Sequence, residues 1–130
     1  MADDSLDDLT RSVRAFADAR DWNQFHTPKN LVMALSVEVA ELAEHFQWLT
    51  AEEARELAQD QEVRPELASE VADIAIFLLR LADVLGVEVS AAVRAKLELN
   101  EARFPVERIR GRATLGSEPR PPDPTEESGR

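Results

Sequence analysis

Glu38 and Glu41 stand three residues apart, and 32 residues after Glu38 the same spacing returns as Glu70 and Asp73, inside nearly the same phrase: Glu-Val-Ala-Glu-Leu, then Glu-Val-Ala-Asp-Ile. Residues three apart share one side of a helix. The adjoining stripes are apolar, with Leu31, Leu35, Val39, Leu42, Phe46 and Leu49 in the first segment and Leu67, Val71, Ile74, Leu78, Leu81 and Leu85 in the second. Each acidic pair therefore borders a core-facing surface. Four carboxylates placed there repel one another and lose hydration, which costs several kcal/mol per ion unless something compensates. A divalent cation is the natural compensation, so Glu38, Glu41, Glu70 and Asp73 are the candidate metal ligands. Carboxylates without thiolate or imidazole suit hard cations, Mg2+ first and Mn2+ second. A ferritin-like di-iron site needs Glu-x-x-His on each of two helices. That pattern is missing, because His45 follows Glu41 by four residues and the second pair has no histidine near it in sequence. A single pair would read as an ordinary solvated face; its repetition among the same apolar neighbours argues for a site.

A second group would suit a phosphorylated ligand. Lys96, Asn100 and Arg103 recur at i, i+4 and i+7 beside the apolar row Val93, Leu97 and Phe104, and Lys29 adds a cation at the start of the first motif segment. Such side chains neutralise phosphate oxygens that a metal does not reach. Aromatic residues are few, yet Trp22 and Phe25 precede the first acidic pair and Trp48 follows it. They could sandwich a planar base. Phe46 fits the core row. On a helical wheel Trp48 turns about 80° to the other side of Glu38, nearer Glu41, which makes it the better ligand candidate. His26 could hydrogen-bond a base or phosphate.

The elements that must position these residues are helices, because apolar residues recur at spacings of three and four and no run alternates as a strand would. Four or five helices are expected. The first runs over about residues 5 to 20 from a Ser5 cap, with Leu6, Leu9, Val13 and Phe16 inward. An irregular segment, Asp21-Trp22-Asn23-Gln24-Phe25-His26-Thr27, leads to a helix capped by Thr27 with Pro28 in its first turn, reaching about Leu49. Thr50-Ala51-Glu52-Glu53 has the capping-box pattern for a short helix. Pro65 opens another long helix that Gly86 ends. Ser90 could cap a last one, which Pro105 stops. The two motif helices, joined through the short one, can lie antiparallel with their acidic faces together.

The chain has 130 residues, enough for one domain with a real core. The expected division is a domain over 1–111 and a tail over 112–130 too rich in Gly, Pro, Ser and charge to fold. A net charge of −11 argues against a nucleic-acid polymer as partner. No long uncharged apolar run suggests a membrane anchor, the first eight residues lack the pattern of a leader, and cysteine is absent. A cytoplasmic protein is expected. Two long helices with wide apolar faces also suggest symmetric self-association, as a dimer or tetramer.

These residues resemble the all-α MazG-like nucleotide pyrophosphohydrolases. The resemblance rests on Glu-x-x-Glu, a spacer of 28 residues and Glu-x-x-Asp. More narrowly, Asp21-Trp22-Asn23-Gln24-Phe25-His26, Pro28-Lys29-Asn30-Leu31, Phe46-Gln47-Trp48, and Lys96 with Asn100, Arg103 and Pro105 are similar to the dCTP pyrophosphatase branch, over about residues 6 to 110. The resemblance implies a MazG-like four-helix bundle assembled as a homo-oligomer, a homotetramer with active sites at subunit contacts. It implies Mg2+ on Glu38, Glu41, Glu70 and Asp73, and a nucleoside pocket formed by Trp22, Asn23, Gln24, Phe25, His26 and Trp48. Asp73 is also implied to meet substrate, while Lys29, Lys96, Asn100 and Arg103 would hold the phosphates. The implied reaction converts dCTP, or a modified dCTP, and water to dCMP and diphosphate as nucleotide-pool house-cleaning. Water would attack the α-phosphorus, with Glu41 or Glu44 taking its proton. Val13 and Phe77 stand where animal relatives carry histidine and tyrosine. Two other readings fit the residues: a pyrophosphohydrolase of other or many nucleoside triphosphates, and a non-catalytic helical module that binds cations.

Overall fold

The computed structural model describes residues 5–112. Contacts divide the chain into two compact units, residues 1–89 and 90–130. The expected tail lies outside the described residues beyond Arg112. Six α-helices and no strand occur among the described residues.

Local chemistry sets the helix ends of the first unit. α1 (Leu6–Ala19) starts at Ser5, whose hydroxyl accepts from the Asp8 amide at 3.1 Å while Asp8 Oδ2 accepts the Ser5 hydroxyl at 2.8 Å. Asp7 and Asp8 also oppose the positive end of the helix dipole. After Arg20 the chain reverses through Asp21 at φ 54°, and the Trp22 amide returns to the Ala17 carbonyl at 3.0 Å. α2 (Pro28–Glu44) begins under Thr27, which accepts from the Asn30 amide at 3.2 Å, with Pro28 at its first position. Thr50 and Glu53 form the expected reciprocal cap of α3 (Ala51–Gln59). α4 (Arg64–Leu85) carries Pro65 in its first turn and ends at Gly86 in the left-handed conformation, φ 69°. A Cβ at Gly86 would touch nothing within 4 Å. Gly86→Ala should therefore cost about 1 kcal/mol through backbone strain alone, measured as a lower urea midpoint with an unchanged slope.

Two expectations are corrected in this unit. α2 stops at Glu44, not near Leu49, because residues 45–49 tighten into turns: His45, Phe46 and Leu49 donate to carbonyls three residues back. The helical-wheel position of Trp48 lapses with that turn of helix. The expected apolar rows are also only partly covered. Leu31 is buried and Leu35, Leu42, Phe46, Leu67, Ile74 and Leu81 are half-buried, but Val39, Val71, Leu78 and Leu85 are exposed, as are Leu6, Leu9 and Phe16 of α1. Ala17, Leu31, Leu79 and Ala82 make the buried apolar centre, with α2 on α4 the most extensive packing and α1 on α4 next.

In the second unit α5 (Val89–Arg103) is already helical at Ser90, so Ser90 is not its cap. It ends before Pro105, as expected, and Pro105 precedes a single unforeseen turn, α6 (Val106–Ile109).

Candidate active site

The acidic pairs meet because α2 and α4 run antiparallel. Glu38 is surrounded by the Glu41, Asp73 and Glu70 carboxylates, while His45, two turns on and just past the end of α2, meets Glu70 and Glu66, further back along α4. Burial first, then Glu41, Asp73 and Glu70, raises the Glu38 pKa above its ordinary value. One carboxylate oxygen of Glu38 and one of Glu70 are buried without a hydrogen-bond partner. Buried polar atoms are ordinarily satisfied. The Glu38 oxygen, which has no partner, and the Glu70 oxygen, which has only the misaligned imidazole of His45 beside it, fit a hard divalent cation as the missing partner.

The structure adds a residue that sequence reasoning set aside. His45 Nε2 lies 3.0 Å from Glu70 Oε2, without hydrogen-bond alignment, and 4.0 Å from Glu66 Oε1. Ligand atoms from these three residues fall within 4.8 Å of one another. The Glu70 carboxylate, with Glu66 and Glu44 adding to it, holds the His45 pKa above the ordinary imidazole value against partial burial. The signal was in the spacing, since His45 extends the Glu38–Glu41 stripe by a turn and Glu66 does the same for Glu70–Asp73. An imidazole beside carboxylates widens the ligand set toward Mn2+ and other transition ions.

A second cluster fixes the segment over residues 21–27. Arg80 of α4, only 6% exposed, donates Nε to His26 Nδ1 at 3.0 Å and Nη1 to Asp83 Oδ2 at 2.8 Å, and its Nη2 donates to Asn23 Oδ1. Asn23 Nδ2 donates in turn to Asp18 at 2.6 Å, and Arg14 of α1 grips Asp83 through Nε, at 3.0 Å to Oδ2, and through Nη2. Both ends of the Asn23 amide are thus used inside the protein. Arg14 above all, together with Arg80, holds the Asp83 carboxyl below its ordinary 3.8, against burial. A depressed carboxylate contributes stability that is present above its unfolded-state value and is lost as pH falls through the folded one. Stability should therefore fall as pH drops below about 3.8 in the wild type. Asp83→Asn should lose about 3 kcal/mol at pH 7 and show a shallower acid limb in pH-dependent chemical denaturation.

Between α1, residues 22–26 and α4 lies a cavity of about 250 Å³, walled by Val13, Phe16, Trp22, Ile76 and Phe77, with His26, Asp73 and Arg80 as its polar members. Trp22 stands edge-on to Phe16 at 5.7 Å and to His26 at 6.1 Å. Asp73 belongs both to this cavity and to the carboxylates around Glu38. The acidic cluster and the aromatic cavity are thus adjacent.

Within the first unit the other expected ligand residues are dispersed. Gln24 turns back onto Asp21, Phe25 and Lys29 are exposed, and Trp48 is 87% exposed, so no sandwich with Trp22 forms within one chain. Glu44 is exposed at the end of α2. Within the second unit, Lys96, Asn100 and Arg103 share a face of α5, and the Arg103 guanidinium lies 5.3 Å over the Phe104 ring.

Residues 33–117, which contain both acidic pairs, match the MazG-like family. The chain belongs to that family. This MazG-like chain is 44% identical over 109 residues to dCTP pyrophosphatase 1 of Bos taurus, an alignment covering 84% of the chain and 64% of the relative. To dCTP pyrophosphatase 1 of Homo sapiens it is 42% identical over 101 residues, covering 78% and 59%. It spans less than two thirds of the length of the curated relatives it matches. Among solved structures, a pyrophosphatase of Archaeoglobus fulgidus is similar with a TM-score of 0.72 and 40% identity, covering 77% of the MazG-like chain and 92% of that protein. Val13 and Phe77 both line the cavity.

Proposed function

We propose that the chain is a divalent-metal-dependent nucleoside triphosphate pyrophosphohydrolase that takes dCTP, or a modified dCTP, to dCMP and diphosphate. The observation that carries this reading is Asp73, shared by an aromatic-walled cavity and a cluster of carboxylates with orphaned oxygens. A base in the first places its phosphates near the second. The relatives named dCTP pyrophosphatase 1 support the substrate and the bond broken.

Glu38, Glu41, Glu70 and Asp73 would hold Mg2+ or Mn2+, with His45 and Glu66 at the edge of the same set. A cation bound there would neutralise triphosphate charge and acidify water. The chain's own residues do the rest. Trp22, Phe16 and Phe77 fix the plane of the base and exclude water from it, and His26 offers a hydrogen bond at its edge. Lys29, Lys96, Asn100 and Arg103 balance the phosphate oxygens. Glu41 accepts a proton from the water that attacks the α-phosphorus, with Glu44 one turn away as the alternative acceptor. Positioning and electrostatic stabilisation then carry most of the rate.

The exposed apolar residues of α2 and α4, Val32, Met33, Val37, Val39, Val71 and Leu78 among them, need cover that a homo-oligomer supplies. A homotetramer, or a dimer, would also bring Trp48 against a neighbouring chain's base. Trp48→Ala should then raise KM for dCTP about tenfold and for purine nucleotides less; an equal loss for every base sinks the sandwich. No described helix is long and apolar enough to cross a membrane, and we place the enzyme in the cytoplasm, acting on free nucleotides. The test of function is a panel of the four canonical deoxynucleoside triphosphates and 5-methyl-dCTP with Mg2+ or Mn2+. Preferred conversion of cytosine nucleotides is expected; broad hydrolysis would demote the base, and no turnover with either ion would leave a cation-binding module.

A further inference from the structure

The buried guanidinium of Arg80 determines which hydrogen-bonding group the cavity offers a ligand. Guanidinium is a donor only and stays charged at any working pH. Its Nε donates to His26 Nδ1, and a ring nitrogen that accepts a hydrogen bond carries no proton. Neutral His26 therefore has its proton on Nε2. The arrangement is held from every side: Arg80 is 6% exposed, Asn23 is pinned by Asp18, and Asp83 is pinned by Arg14. A buried guanidinium whose three nitrogens each donate to a different partner, two of those partners being held in turn, favours a single geometry. Burial and the Arg80 charge both disfavour the imidazolium. The charged groups around the ring are Arg80 and Asp73 in the same cavity, with Asp83 and Arg14 behind Arg80 and Asp18 behind Asn23.

We propose that Arg80 is a specificity-determining positioning residue: it locks His26 as the neutral Nε2–H tautomer, so that the cavity selects a base whose buried edge presents a hydrogen-bond acceptor. Asp73 can only accept when ionised, so the polar face of the cavity pairs a fixed donor with an acceptor. A base turning an N–H toward His26 meets the proton head-on. An acceptor there, such as the unprotonated ring nitrogen of cytosine, completes the bond. This inference rests on the cavity being the nucleoside pocket, yet its first test does not depend on turnover.

That test is long-range 1H–15N NMR of the histidine rings in the full-length protein. The chain has two histidines, and a His45→Gln sample assigns the pair. His26 should appear as one Nε2–H tautomer from pH 6 to 8. An Nδ1–H ring, or an averaged mixture, overturns the inference even if dCTP is hydrolysed. In Arg80→Met the His26 signals should average between tautomers and titrate nearer the ordinary imidazole pKa. KM for dCTP should rise about tenfold, the worth of one hydrogen bond, while kcat stays within about twofold, and kcat/KM should gain an acid limb that the wild type lacks. An unchanged tautomer or an unchanged KM in that variant contradicts the proposal. If Arg80→Met does not fold, Arg80→Lys, which keeps a buried cation and one donor, provides the kinetic arm: it should keep the Nε2–H tautomer and an intermediate KM, and a KM equal to the wild-type value with a lost tautomer would refute it. A wild-type protein without turnover would fail the functional reading and leave the tautomer result standing.

Discussion

Glu41→Gln should fold, melting no lower than the wild type in EDTA, and lose turnover by about 10²- to 10⁴-fold, the usual worth of a positioned proton acceptor. The amide keeps the size and helical setting of the glutamate. It removes the basic oxygen and one negative charge from the group around Glu38. The loss should fall on kcat, because Glu41 does not line the cavity that would take the base. Glu44→Gln is the informative comparison. Its side chain lies at the exposed end of α2, and a larger kcat loss there than at Glu41 would transfer the role. Normal activity in Glu41→Gln would remove Glu41 from the chemistry.

A second large effect should appear with no substrate present. Glu38 is burdened by burial and by three neighbouring carboxylates, and one of its oxygens has no partner. In the metal-free protein the ionised side chain opposes folding. Glu38→Gln should therefore melt higher than the wild type in EDTA, by about 3 °C for each kcal/mol of relieved repulsion. Adding Mg2+ should invert the order. A cation at a hundred times its Kd stabilises the native state by about 2.7 kcal/mol, which the wild type gains and the variant largely forfeits. Thermal scans with and without the ion separate this account from a merely solvated acidic surface, for which Glu38→Gln would change neither melt. Destabilisation in EDTA would show that Glu38 is held by partners rather than strained by them.

Much of the architecture could be read from single residues because their effects are local. Ser5, Thr27 and Thr50 cap the helices that follow them, Pro105 follows the end of another and Gly86 closes the longest. The repeated acidic pairs likewise announce a cluster, since only helical spacing is needed to bring each pair onto one face. What stayed hidden depends on the register between helices. His45 looked isolated from the second motif because its approach to Glu70 exists only once α2 and α4 are antiparallel and in place. Arg80 sits in the run Ile76-Phe77-Leu78-Leu79-Arg80-Leu81-Ala82 and reads as a lone surface charge. Its partners His26 and Asn23 lie 54 and 57 residues earlier, beyond any local pattern. Exposed Val39, Val71 and Leu78 escaped for a related reason: periodicity marks an apolar face but not whether one chain can cover it.

The most direct test of the account is hydrolysis of dCTP with Mg2+ in 18O-enriched water, with the products separated and weighed by mass spectrometry. Attack on the α-phosphorus predicts dCMP carrying one 18O and unlabelled diphosphate. Label in the diphosphate, or dCDP with orthophosphate, would contradict it.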